Sequence, residues 1–427
     1  MLELRPLTTG ITTGAPLSGK SARKNAAPEA RPCPPPRDTL QLAGEKEILT
    51  IQRPVKSAPE PKKAVEPTVP ALKAVDPLAM MRVDELKKAY PQLTGKGVGV
   101  AVIDSGFNYP GQTPEFWKDF ADGFSRLNDP TGHGTMVAGD IRQAAPQADL
   151  IALKVADQNG SLDSDAVLKA MQWVLEHKDE YRIKVVNLSL GVVKRYPLPY
   201  ELIEQAVSRL TEAGVLVVCA AGNDGPDIGS IDKTPNDHPQ ALTVGGSENP
   251  EQLLSCSSRG PTENGKHKPD LVAPGAFIKS WAAPNSELLK KALEGDRIRA
   301  MSRQEALEFM EKPLNLTNLG LSRNILSRPE DERILALKNA APKMFMAPDG
   351  QMAAREGTSF SAPLVSGIAA LLAQLKPEAS PEELKAALTA GAKPMPGYSP
   401  DDQGAGFVDA KASADKLLEK EKKSPRN

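Results

Sequence analysis

The chain has 427 residues, with 53 Lys+Arg against 54 Asp+Glu and a formal net charge of −1. That balance argues against a polyanion-binding protein, which carries a basic excess or stripe, so no nucleic-acid partner is expected. Apolar runs such as Val215–Ala221 and Gly367–Ala373 fall short of the roughly 20 residues that span a bilayer, so no membrane-spanning or membrane-bound role is expected.

Residues 1–78 are rich in Pro, Ala and Lys and show neither a helical nor a strand period. They read as a disordered tail or a propeptide. One apolar island, Ile48–Ile51, is suited to lie as an added strand in a groove, which would make the tail autoinhibitory. The N-terminus has no continuous apolar stretch of signal-peptide length. The three cysteines, Cys33, Cys219 and Cys256, make neither a disulfide framework nor a metal-binding spacing. A cytoplasmic location follows as the expectation, with export by a route other than Sec as the alternative.

From about Leu78 buried-strand runs alternate with helices. The predicted strands are Gly97–Ile103, Asp149–Val155, Lys184–Leu190, Val215–Ala220 and Ala241–Gly245. Each is nearly all apolar and short, as strands covered on both faces should be. Between them, Ser164–His177 and Tyr200–Ala213 carry apolar residues at helical spacing. The alternation predicts an α/β fold with a mostly parallel, doubly wound sheet in three layers.

Between about residues 284 and 342 the strand rhythm stops. Three helices are predicted there: Ser286–Glu294 closed by Gly295, one capped by Ser302 and Glu305 and running to Pro313, and Glu330–Asn339. This stretch reads as a helical insertion. Strand and helix patterning resumes after Lys343, with a helix at Pro381–Ala390 and a charged tail from about residue 419. The length alone would suggest about three domains. The patterning gives one body, residues 79–418, between a tail at 1–78 and a tail at 419–427.

Three stretches carry candidate chemistry. Gly97–Gly106 places Asp104 at the carboxyl end of the first strand, where open parallel sheets bind ligands. Gly132-His-Gly-Thr135 starts a helix at His133. Glu356-Gly-Thr-Ser-Phe-Ser-Ala-Pro363 opens an apolar helix at Ser359, with Pro363 expected in its first turn. A Ser hydroxyl is a weak nucleophile near neutrality and needs a base, and His133 has the right intrinsic pKa. Asp104 would orient the imidazole. A helix N-terminus at Ser359 would direct N–H groups at a developing oxyanion. Of the other histidines, His177 and His267 read as solvated and His238 as a loop residue. Asn223, after the strand Val215–Ala220 and beside Gly222, reads alone as a turn former and within this set as an oxyanion donor.

These stretches resemble the subtilases, the subtilisin-like serine proteases, in the chain order Asp, His, Ser. The likeness extends from about Leu93 to Ala412 outside the insertion. It implies a serine endopeptidase with Asp104, His133 and Ser359 as triad and Asn223 in the oxyanion hole. It further implies that Gly160, Ser161 and Leu162 form one substrate-pairing edge. Ser189, Leu190 and Gly191, in Val186-Asn-Leu-Ser-Leu-Gly191, would form the other, with Gly222 beside the pocket. Ser257–Pro261 and Lys268–Gly275 resemble structural signatures of the family. No cofactor or catalytic metal is expected. Structural calcium remains open, but Ala138–Pro146 lacks the Asn-rich loop that would hold it tightly. The implied partners are protein or peptide substrates, and the expected state is a monomer. A reading of a different class, a groove that binds peptides without turnover, predicts no fragments from denatured casein.

Overall fold

The apolar runs become strands that are buried on both faces. The structure is a computed structural model and describes residues 76–123, 126–193, 200–342, 344–346 and 350–423. The expectations for the tail before residue 76, with Cys33 and the Ile48–Ile51 island, lie outside these residues. In chain order the strands are β1 (Gly99–Asp104), β2 (Phe116–Asp119), β3 (Asp149–Lys154), β4 (Ile183–Leu188), β5 (Val192–Val193), β6 (Leu216–Ala220), β7 (Lys233–Thr234), β8 (Leu242–Asn249), β9 (Gln252–Leu253), β10 (Leu271–Pro274), β11 (Ile278–Trp281), β12 (Phe345–Met346) and β13 (Met352–Arg355). The main sheet has the order β10-β8-β6-β4-β1-β3-β2 with every neighbour in that path parallel, and β9 returns antiparallel on β8.

The helices are α1 (Pro77–Met80), α2 (Val83–Ala89), α3 (His133–Ala144), α4 (Ser164–His177), α5 (Tyr200–Glu212), α6 (Glu287–Ala300), α7 (Arg303–Glu311), α8 (Pro313–Asn318), α9 (Glu330–Ala340), α10 (Thr358–Leu375), α11 (Pro381–Gly391), α12 (Pro400–Gln403) and α13 (Ala410–Lys423). Strand alternation explains the three layers. Val100 and Val102 of β1 join a core with α3 and α10, while Ala101 and Ile103 join a second core with α4 and α5. The chain leaves β1 for β3 on one side and returns with β4 on the other. Such a reversal opens a crevice at the carboxyl ends of the two strands.

The helices α3 and α10 cross closely because residue 367 is Gly. A Cβ there would stand 2.6 Å from Ala144 Cβ and 2.8 Å from the Ile141 carbonyl. Helix α10 is 18 residues long and apolar enough to cross a membrane by length and composition. That corrects the expectation that no apolar segment approaches such a length. Its apolarity has a local reason, since 83 % of the helix is buried inside the protein.

Two other expectations need correction. Pro363 lies beyond the first turn of α10, which starts at Thr358. Lacking an N–H, it leaves the Ser359 carbonyl without its intrahelical donor, and Ser189 Oγ donates to that carbonyl instead at 2.8 Å. Gly295 does not close α6, which continues to Ala300. Beyond it, Arg299 donates to the Pro342 carbonyl at 2.7 Å and ties the helix end to the far arm of the insertion. The insertion has a small core of its own, with Ile298, Met310, Leu316, Ile325 and Leu337. It is set between β11 and β13, which pair antiparallel.

Candidate active site

The carboxyl end of β1 carries Asp104, which is 4 % exposed. Its Oδ1 accepts from the Ser105 amide at 2.7 Å and lies 2.8 Å from His133 Nδ1. That contact with a carboxylate suits Nδ1 as the nitrogen that carries the proton, which leaves Nε2 as the acceptor of a neutral ring. His133 is the first residue of α3, and Gly132 before it has φ 85°. A side chain at Gly132 would be strained in that conformation, and its Cβ would meet Ser286 Oγ at 2.5 Å.

A residue that sequence reasoning passed over holds this junction. Asp129 is 3 % exposed. Its Oδ1 accepts from Gly132 N at 2.8 Å, Ser105 Oγ at 2.8 Å and Thr131 Oγ1 at 3.2 Å. Its Oδ2 accepts from Thr135 N at 2.8 Å and Thr135 Oγ1 at 2.6 Å. Ser105 Oγ in turn accepts from Gly134 N at 2.8 Å. One buried carboxylate thus ties the residue after Asp104 to the residues on both sides of His133. The available signal was an Asp three residues ahead of the glycine that begins a helix, a spacing suited to capping.

Ser359 is the second residue of α10, so its amide belongs to the unsatisfied first turn. Its hydroxyl donates to the Ser189 carbonyl at 3.2 Å. Phe360, the residue after Ser359, places its ring centroid 5.5 Å from that of His133. The side chains of Ser359 and His133 make no hydrogen bond with each other among the described residues. Asn223 Oδ1 accepts from Thr358 N at 2.9 Å and lies 3.1 Å from Thr358 Oγ1. The oxygen end of the amide is therefore engaged, which leaves Nδ2 as the end able to donate. Thr358 Oγ1 also accepts from Gly222 N at 3.2 Å. Ser258 Oγ holds the next residue, accepting from Asp224 N at 3.0 Å.

The two expected substrate edges occupy loops at the same end of the sheet. Gly160 has φ 81° and approaches Thr131, where a Cβ would meet Thr131 Cγ2 at 2.7 Å. Asp157 Oδ1 accepts from both Asn159 N and Ser161 N at 2.8 Å, which fixes the turn that presents Ser161 and Leu162. Leu162 is 45 % exposed. Ser189 and Leu190 follow β4 and are buried, and Gly191 packs against Lys233 and Asn236.

The remaining histidines have local roles. His177 stacks on Trp173 and bonds the Trp173 carbonyl, so it is packed rather than solvated. His267 is exposed and pairs with Asp401 at 2.7 Å. His238 is buried, and desolvation beside Lys268 lowers its pKa to about 4, leaving it neutral. No group of three or more His, Cys, Asp or Glu able to hold a metal ion occurs among the described residues. Over Ala138–Pro146 the chain is helical as far as Ala144.

The model of the subtilase family matches residues 95–408. Serine protease AprX of Bacillus subtilis strain 168 is 31 % identical over 348 residues, covering 75 % of this chain and 67 % of that protein. Subtilisin Savinase of Lederbergia lenta is 35 % identical over 198 residues, covering 44 % of this chain and 67 % of that protein. The minor extracellular protease Epr of Bacillus subtilis strain 168 is 32 % identical over 212 residues, covering 46 % and 30 %. These relatives overturn the expected cytoplasmic location, since Epr is by name an extracellular protease. For one of the three cysteines the compartment argument carries no weight, for a physical reason. Cys219 is fully buried and its thiol is pushed up to about 11 by desolvation, so it is inert whatever the compartment.

Proposed function

We propose, from the premise that this chain belongs to the subtilase family and is a serine peptidase, that Ser359 is the nucleophile of an endopeptidase whose base is His133. The observation that carries this reading is the 2.8 Å contact of His133 Nδ1 with the buried Asp104, on the helix packed against the one that Ser359 opens. In the resting site Ser359 Oγ bonds the Ser189 carbonyl. Catalysis needs that hydroxyl to turn to Nε2 of His133, a tightening expected when substrate fills the cleft.

A peptide lies extended between Gly160–Leu162 and Ser189–Gly191, paired through its backbone, with Gly222 beside the pocket. Ser359 Oγ attacks the scissile carbonyl carbon as His133 Nε2 takes its proton. Asp104 holds the ring and offsets the imidazolium charge. The oxyanion forms between Asn223 Nδ2 and the Ser359 amide, at the positive end of α10. His133 then delivers the proton to the leaving amine, and water repeats the sequence on the acyl-enzyme. These steps draw on side chains and backbone alone.

The catalytic body proposed is residues 79–418, with the stretch at 284–342 as an insertion, acting as a monomer. The tail at 1–78 serves as a removable inhibitory segment. Labelling by a fluorophosphonate tests the assignment. The full chain should label and the Ser359→Ala variant should not, and equal labelling of both would refute the nucleophile. Casein hydrolysis that rises when residues 1–78 are removed supports inhibition by the tail.

A further inference from the structure

The loop that presents Ser359 also presents a cation whose guanidinium has no hydrogen-bond or ion-pair partner among the described residues. Arg355 ends β13, four residues ahead of Ser359, where it pairs in register with Ile278. Its guanidinium carbon stands 5.9 Å from the centroid of the Phe360 ring, and that ring is in turn 5.5 Å from the His133 ring. Among the described residues the Arg355 guanidinium makes no hydrogen bond and no ion pair. Two acidic groups act on it through space, Glu287 and Glu356, but neither bonds it. The Glu287 carboxylate is taken by Lys291 one turn along α6. Burial lowers the guanidinium's pKa from its ordinary value, yet an arginine stays charged at any working pH.

A partly desolvated guanidinium is expensive to leave unpaired, and its planar fork suits a carboxylate. Its position says which part of a substrate could supply one. The acyl part of the peptide lies along Ser189–Gly191. The leaving amine departs toward His133, which protonates it. Arg355 reaches that side, over Phe360 and near Glu287 at the start of α6. The amide of Glu287 donates to the Pro130 carbonyl in the turn just before His133, at 2.8 Å. The insertion and β13 therefore wall the same side.

We propose that Arg355 is a specificity determinant that selects a carboxylate on the leaving-group side of the scissile bond. This rests on the endopeptidase reading above. The carboxylate is either an Asp or Glu side chain in the first two residues after the cleaved bond, or the free terminus of a short leaving peptide.

The test is a set of internally quenched peptides identical before the cleavage point, hydrolysed by the full chain. One arm carries Glu against Gln after the scissile bond, with amidated ends. The other keeps Gln and compares a free with an amidated C-terminus two residues on. A kcat/KM ratio of at least about tenfold for the carboxylate in either arm supports the proposal, and the arm that responds identifies the source. The Arg355→Met variant should bring that ratio near one, Arg355→Glu should push it below one, and 0.5 M salt should reduce it. Ser359-dependent hydrolysis of all peptides at equal rates overturns the role of Arg355 and leaves the peptidase reading intact. Failure of both the full chain and the variant lacking residues 1–78 to cleave any of them overturns both. Should the variants fold poorly, the wild-type ratios and their salt dependence decide the matter alone.

Discussion

Replacing Asp129 by Asn keeps the shape of the side chain and reverses the chemistry of one end. Both carboxylate oxygens accept a backbone amide, Oδ1 from Gly132 and Oδ2 from Thr135, each at 2.8 Å. Whichever end becomes the amide nitrogen must therefore face an N–H. The site is 3 % exposed, so water cannot substitute. Flipping the amide only exchanges one clash for the other. One charge-assisted bond is lost, at about 1.5–3 kcal/mol, and one backbone donor is left buried and unpaired, at about 1–3 kcal/mol. Because these overlap, a loss of about 3–4 kcal/mol of stability is expected. The damage falls on the turn that begins α3 and on Ser105, so His133 and Asp104 move relative to each other. The expected kinetic result is a fall in kcat of about 10²-fold with a smaller rise in KM, since Thr131, bonded to Asp129, packs against Gly160 of one substrate edge. Urea denaturation gives the stability and peptide hydrolysis the kinetics. An Asp129→Asn protein within 0.5 kcal/mol of wild type that keeps its kcat would refute the reasoning.

Three more substitutions probe the same frame. Asn223→Ala should lower kcat roughly 10²–10³-fold with KM nearly unchanged, the size known for removal of this donor in subtilisin. Steady-state kinetics check it, and a change confined to KM would count against the oxyanion assignment. Gly367→Ala should destabilise the fold by about 2–4 kcal/mol, because the new methyl would stand 2.6 Å from Ala144 Cβ and force α3 from α10. Thermal melts read the loss, and activity should fall with it, since those helices carry His133 and Ser359. Asp140 is fully buried with Oδ2 unpaired, and desolvation raises its pKa well above the ordinary carboxyl value. A raised folded-state pKa means that stability is greatest below the unfolded value, about 3.9, and is lost as pH rises toward the folded one. Asp140→Asn should match wild type in melting temperature near pH 3 and exceed it increasingly toward pH 8. A gap independent of pH would show that Asp140 is not the titrating group.

What could be read from the sequence was whatever local pattern determines. Asp104 at a strand end, His133 and Ser359 at helix starts, and the layered sheet all follow from period and punctuation within a dozen residues. The parts that escaped are set by contacts distant in sequence. Nothing near Asp129 announces Ser105, which is 24 residues away and bonded to it at 2.8 Å. Nothing near Asn223 announces Thr358, 135 residues on, whose amide holds the amide oxygen. Local pattern also misled where tertiary packing overrode it. Gly295 is a plausible helix stop, yet α6 passes through it because Arg299 finds the Pro342 carbonyl beyond.

Pro363 shows how one local rule, placed correctly, becomes part of the site. In a helix interior the missing N–H ordinarily costs about 3 kcal/mol, chiefly through an orphaned carbonyl and a steric clash. Here the orphan belongs to the proposed nucleophile. Ser189 supplies the absent donor at 2.8 Å, and the Ser359 hydroxyl returns a bond to the Ser189 carbonyl at 3.2 Å. The two residues form a reciprocal pair across the cleft, tying the first turn of α10 to the edge that follows β4. An alanine at 363 would restore an intrahelical donor that competes with Ser189 for the same carbonyl. The exchange would slacken the link between nucleophile and substrate edge while improving the helix. The variant should then show unchanged or higher stability with lower kcat/KM, and losing stability without losing activity would contradict this account of the pair.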